Sequence, residues 1–153
     1  MSDLPAVILG HFQVLSEESL LSKKRVFERA AEAMGAALDL SSENIYRALL
    51  AREKLGSTAI GEGIAIPHCR INECAEAVGC LVTLREPIDF GSTDGRDVDV
   101  IFVLLVPEEA TQAHLNLLAA LARSFSNADL RNRVRQTLDP EELRQLLMNG
   151  EAT

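Results

Sequence analysis

Residues 100–106 read VIFVLLV, an unbroken apolar run that Pro107 follows. A strand with one face in water alternates apolar and polar residues. A strand without that alternation is covered on both faces, as a central strand between two layers is. Outward toward the C-terminus, ATQAHLNLLAALARSF predicts a helix over 111–125, and further helices are expected over 128–136 and 140–148. In the last, Asp139 caps and Pro140 occupies the first turn, where its missing N–H costs nothing. Outward toward the N-terminus, REPIDFGSTDGRDVD (85–99) is a polar connector rich in turn residues. AVGCLVTL (77–84) is a strand, and Ile64–Ile66 is a short buried strand that Pro67 stops. Earlier still, Val26, Ala30, Ala33, Met34 and Ala37 recur at three- and four-residue steps, an amphipathic helix over 22–38 capped by Ser22. Residues 39–42 break it, and Ser42 caps a second helix over 43–55 that carries Ile45, Leu49 and Leu50. Strands alternate with helices, so the class is α/β, a sheet covered by helices.

The chain has 153 residues, the size of one domain with a single substantial core. Hydrophobic residues make up 47% and charged residues 25%, ordinary for a globular fold. The net charge of −8 gives a nucleic-acid-binding role poor support and favours partners with basic patches. No apolar run reaches the roughly 18 residues that span a bilayer. The start, MSDLPAVILGHF, has no basic segment before its short apolar stretch, so it does not read as a signal peptide. The expectation is a cytoplasmic protein without membrane insertion. Cys69, Cys74 and Cys80 are odd in number and lack paired metal-type spacing, which makes a disulfide framework or a zinc site improbable.

The chemistry concentrates in GSTAIGEGIAIPHC, residues 56–69. Gly61 and Gly63 remove side chains where something approaches the backbone, and His68 follows directly on the apolar run. Imidazole gains and loses a proton near neutral pH and attacks as a neutral nucleophile, although a histidine after a proline also has a purely structural reading. Cys69 is adjacent, but neighbouring residues on extended chain point to opposite sides, so it reads as a small space-filler. His114 lies near the start of the helix that follows the central strand, where binding groups of α/β folds gather. Arg52 can neutralise phosphoryl charge with paired N–H donors or be a solvated helix charge. Ser57 and Thr58 can offer hydroxyls, and Ser57 can equally cap the turn after Gly56.

These residues resemble the active-site pattern of the type-2 EIIA domains of the bacterial phosphotransferase system, the mannitol/fructose class. Glu53, Ile60, Gly61, Ile64, Ala65, Ile66, Pro67, His68 and Cys69 fill every specified place of that pattern. The likeness runs from about Ser16 to about Leu147, through SKKRVFERAAEAMG, LLAREKLGSTAIG, LVPEEATQAHLNLLAALARSF and DPEELRQLL. Within the family it is greatest to the stand-alone nitrogen-related members, which are regulatory phosphocarriers. The resemblance implies a single-domain mixed β-sheet flanked by helices, the fold of the mannitol-specific EIIA. It divides the chain into an N-terminal segment, 1–15, and an EIIA domain, 16–149.

The resemblance further implies that His68 accepts a phosphoryl group on Nε2, a tele-phosphohistidine, from the phosphohistidine of a carrier protein, HPr or its nitrogen-branch counterpart. His114 would support the transfer, Arg52 would stabilise the phosphate, and Thr58, with Ser57, would contact it. No cofactor and no metal enter that scheme. The nitrogen-related members imply regulatory targets such as sensor kinases and potassium-transport proteins. The alternative is a sugar-specific EIIA that passes the phosphate to a transporter's EIIB domain. A module that has lost phosphorylation is the third possibility, against which His68, His114 and Arg52 stand together.

Overall fold

The structure, a computed structural model, describes residues 12–72, 74, 76–109 and 112–149. Its centre is β6 (Val98–Pro107), and the apolar run does have both faces covered. Val100, Phe102, Leu104 and Val106 face one hydrophobic cluster, while Ile101, Val103 and Leu105 face another. The strand runs one residue beyond the apolar segment at Pro107, whose carbonyl end still lies in register, and begins two residues before it. β5 (Val78–Ile88) pairs antiparallel with β6, and β1 (Phe12–Glu18) pairs parallel with β5. β2 (Ala59–Gly61) pairs antiparallel with β3 (Ile64–Ala65), which runs parallel to β6, as does β4 (His68–Ile71). The result is a mixed six-stranded sheet.

Helices cover both faces. α1 (Lys23–Leu38) and α2 (Ser42–Lys54) supply Val26, Phe27, Met34, Ile45 and Leu49 to one cluster. α3 (Gln112–Phe125), α4 (Ala128–Gln136) and α5 (Pro140–Asn149) supply Leu117, Leu121, Val134 and Leu143 to the other. The expected caps hold at Ser22, whose side chain accepts from Arg25 N, and at Asp139, which accepts from Glu142 N at 3.0 Å. The second helix starts one residue earlier than expected, because Ser41 rather than Ser42 caps it and accepts from Asn44 N. The tight passage between α1 and α2 needs Gly35: a Cβ there would come within 2.9 Å of the Leu40 carbonyl.

One expectation about the sheet changes, and two strand pairings add to what the sequence showed. The connector after Leu84 is shorter than its composition suggests, since β5 continues through Arg85–Ile88 after a register shift, with Ile88 opposite Val98. A bulge lets polar residues sit outward on a strand that still returns an apolar residue to the core. Phe12–Glu18, mostly polar and half-buried, is a strand because β5 offers it an edge. Most consequential, the strand before Pro67 does end, at Ala65, but Pro67 does not turn the chain away from β6. Its carbonyl accepts from Leu104 N at 2.8 Å, and pairing to β6 resumes in the same register: Ile64 with Val100, Ala65 with Ile101, His68 with Leu104. A proline forfeits one donor of a ladder without breaking the line of the chain.

Candidate functional site

His68 opens β4, next to the proline interruption, and is half-buried. Its ring Nδ1 lies 2.9 Å from the Ile66 carbonyl oxygen. A carbonyl only accepts, so Nδ1 carries the proton, and the lone pair of the neutral ring is on Nε2. Because side chains alternate along a strand, Cys69 and Ile71 go to the core beneath α1 and α2, while His68 and Arg70 point away from that core.

The chain folds a cleft of about 530 Å³ around this histidine. One wall is the C-terminal half of α2, with Ala48, Ala51, Arg52 and Leu55. The other is the first half of α3, with His114, Leu115 and Leu118, and the floor is His68, Arg70 and Val106. A second concavity of about 230 Å³ continues it past His68 and Arg52 to Ser57, Thr58 and Ile60. All five side chains expected from sequence therefore border one continuous hollow. Its charged lining, among the described residues, consists of Arg52 and Arg70, with no carboxylate in either part. In a chain of net charge −8 that is a local reversal of sign.

Arg52 sits in the last turn of α2, lines the cleft and donates from Nη1 to the Gly56 carbonyl at 2.9 Å, with its other N–H groups not engaged by any described residue. Ser57 and Thr58 spend their hydroxyl protons elsewhere. Ser57 Oγ donates to the Phe90 carbonyl at 2.8 Å, and Thr58 Oγ1 donates to Glu53 Oε1 at 2.7 Å. In this arrangement both hydroxyls build the turn, and contact with a ligand would require them to rotate. The turn is docked beside the histidine by Ile66 N, which donates to the Thr58 carbonyl at 3.0 Å.

Over residues 8–150 the chain matches the model of the family described as phosphoenolpyruvate-dependent sugar phosphotransferase system, EIIA 2. It belongs to that family. It is similar to the nitrogen regulatory protein of Pseudomonas aeruginosa, 45% identical over 129 residues that make up 84% of each chain. The nitrogen regulatory protein of Escherichia coli K12 is 41% identical over 133 residues, 86% of this chain and 82% of that one. The crystal structure of nitrogen regulatory protein IIA-Ntr from Neisseria meningitidis superposes with a TM-score of 0.83 at 42% identity, over 94% of this chain and 95% of that chain.

Two features of this EIIA domain were not singled out as site residues by sequence reasoning. The first is Arg70, on β4, a strand that the sequence reading did not include; its signal was the two-residue alternation from His68. The second is the role of Glu53. Its carboxylate is only 6% exposed and accepts from Lys23 Nζ at 2.9 Å, from Thr58 N at 3.2 Å and from Thr58 Oγ1. Glu53 thus ties α1, α2 and the turn together, and Lys23 also lies over the Phe90 ring, 4.8 Å from its centroid. The Cys69 thiol borders the cleft, but burial first, and then the charge of nearby Cys74, push its pKa to about 12, so it is no thiolate nucleophile. No helix among the described residues is long and apolar enough to cross a membrane.

Proposed function

We propose that this protein is a regulatory phosphocarrier that takes a phosphoryl group on Nε2 of His68 from the phosphohistidine of a small carrier protein of the HPr type or its nitrogen-branch counterpart. The observation that carries the reading is the Nδ1–H of His68 donating to the Ile66 carbonyl inside a cleft that Arg52 and His114 also line. Fixing that proton exposes the Nε2 lone pair without any general base.

The transfer runs between two imidazoles. The Nε2 lone pair forms a bond to phosphorus while the bond to the carrier's ring nitrogen breaks, and its electron pair returns to that nitrogen. The carrier's ring, protonated on its second nitrogen, leaves as neutral imidazole. His68 keeps its Nδ1 proton and becomes the phosphorylated cation, its N–H still on the Ile66 carbonyl. No net proton moves. Catalysis of this kind is positioning plus stabilisation of charge on the three phosphoryl oxygens. Arg52 supplies charge from α2, and His114 an imidazole N–H from the first turn of α3, whose N-terminal partial charge also favours an anion. Thr58 and Ser57 hold the turn and contact the phosphate by hydroxyl rotation. Exposed Leu55, Ile60 and Leu115 rim the hollow and give the carrier an apolar landing around a charged centre.

The nitrogen branch is favoured by the relatives named nitrogen regulatory proteins. Those names carry a regulatory role, and the role proposed for this chain is control of other proteins through its phosphorylation state, with sensor kinases and potassium-transport proteins as targets and the cytoplasm as the setting. Adding roughly −1.5 to −2 charge at His68 cancels most of the positive charge of the cleft, a change large enough to make or break an interface.

The test is acid-labile labelling from phosphoenolpyruvate, enzyme I and a carrier of each branch. Labelling of wild type chiefly by the nitrogen-branch carrier, none in His68→Ala and slowed labelling in His114→Ala is the expected result. Incorporation into His68→Ala would overturn the assignment of the acceptor. Preferential labelling by the sugar-branch carrier, with passage to a transporter EIIB domain, would move the protein to sugar uptake.

A further inference from the structure

We infer that Arg70 is a second phosphate-binding cation of the cleft, taking the phosphoryl oxygens from the strand side while Arg52 takes them from the helix side. The inference deepens the phosphocarrier reading and rests on it.

Placement comes first. His68 and Arg70 are two residues apart on β4, with Cys69 and Ile71 between and beyond them packed in the opposite direction. Their Cα atoms are therefore about 6.5 Å apart on one face. An extended arginine side chain covers that span, so the guanidinium can reach a group bonded to Nε2. Pro67 is what makes the geometry dependable: pairing to β6 continues from His68 with Leu104 to Arg70 with Val106, so both side chains are presented by a register-locked strand rather than a loop.

Charge comes second. The transferred group carries close to two negative charges, and Arg52 has one N–H already committed to the Gly56 carbonyl. Arg70 is exposed, lines the same hollow and has no acceptor recorded among the described residues. Among the exposed arginines, Arg47 pairs with Glu43, Arg25 with Glu28 and Arg96 with Glu62, while Arg85 and Arg123, which have no carboxylate partner among the described residues, lie outside this hollow. An exposed arginine with no carboxylate partner among the described residues, in a lining that holds none among them, on a chain richer in acids than bases, is placed for an anion that arrives from outside.

The chemistry comes third. As the phosphorus passes between nitrogens, its equatorial oxygens face sideways from the line of transfer. Arg52 on α2 and Arg70 on β4 approach that line from different elements, so together they can cover oxygens that one guanidinium cannot.

Rates are measured for wild type, Arg70→Ala and Arg70→Lys with increasing phosphorylated carrier, and in parallel with phosphoramidate, a small donor that loses ammonia on transfer. The expected result is a saturating rate lowered roughly a hundredfold in Arg70→Ala, the low end of what losing one charge-stabilising donor costs. Arg70→Lys should fall between, and phosphoramidate labelling of His68 should slow in step. A wild-type saturating rate in Arg70→Ala, with only the half-saturating carrier concentration raised, would overturn the inference and leave Arg70 as a contact for the carrier protein. Wild type that ignores both carriers yet takes phosphate from phosphoramidate in an Arg70-dependent manner would overturn the carrier reading and keep Arg70. Wild type labelled by no donor would overturn both.

Discussion

Glu53 shows how much of a site can depend on one side chain that never touches the reacting atoms. Its carboxylate accepts the Lys23 ammonium from α1 and both the backbone N–H and the hydroxyl of Thr58 from the turn. Replacing such a group with a hydrophobic isostere of equal shape can be nearly neutral, but removing it alone strands its partners. Glu53→Ala should therefore lower stability by about 3 kcal/mol, the low end for breaking a buried ion pair because Lys23 keeps access to water. Glu53→Gln, which retains one acceptor, should lose less. Urea unfolding measures both, and transfer to His68 in the folded variant reports whether the turn has moved. A Glu53→Ala protein with the wild-type midpoint would mean that the turn is held by its backbone bonds instead.

At the scale of elements, what could be read from sequence follows local physics closely. α1, α4 and α5 announce themselves by periodicity and by Ser22 and Asp139 as caps, so their bounds fall within a residue of expectation. β6 is evident from composition alone. The weaker strands are not, because their stability is borrowed. β1 is polar and exists through its pairing with β5 and through Arg144, which donates to the Phe12 carbonyl and lies over that ring. Pro67 does follow the end of β3, and no local pattern announces that pairing to β6 resumes at His68 and carries Arg70. His68, His114, Arg52, Ser57 and Thr58 were candidates because their residue types can carry chemistry and the resemblance gave them roles, and the fold places all five along the same hollow. Which hydroxyl proton goes where is set by Phe90 and Glu53, and no local pattern encodes that.

The same strands carry a measurable pH signature. Burial pushes the Cys80 thiol on β5 to about 12 from its ordinary 9.0, and Arg29 only partly offsets this. The unfolded chain ionises near 9, so the stabilising preference for the thiol is complete below that pH and is lost as pH rises toward 12. Cys69 adds in the same direction. Stability should thus fall between pH 9 and 12, more steeply in wild type than in Cys80→Ala. Equal slopes in the two proteins, from urea midpoints across that range, would show that the thiol ionises without unfolding.

For the whole molecule, two electrostatic scales oppose each other and act at different times. The net charge of −8 sets the field a partner meets at a distance, while the hollow with Arg52 and Arg70, which holds no carboxylate among the described residues, sets what the proposed phosphoryl group would meet at contact. A carrier with a basic docking face is drawn in by the first, and its phosphate is received by the second. Salt separates them, because screening has a length of about 8 Å at physiological ionic strength and about 30 Å at 0.01 M. The encounter-limited rate should therefore fall about tenfold or more between those conditions, within the range that steering supplies. The rate at saturating carrier should change little, since the arginines act inside a docked cleft where mobile ions have small effect. Stopped-flow transfer at several carrier concentrations and two ionic strengths resolves both quantities. A saturating rate that drops as steeply as the encounter rate would place the two arginines at the open rim, acting on the approach of the carrier rather than on the phosphoryl group in flight.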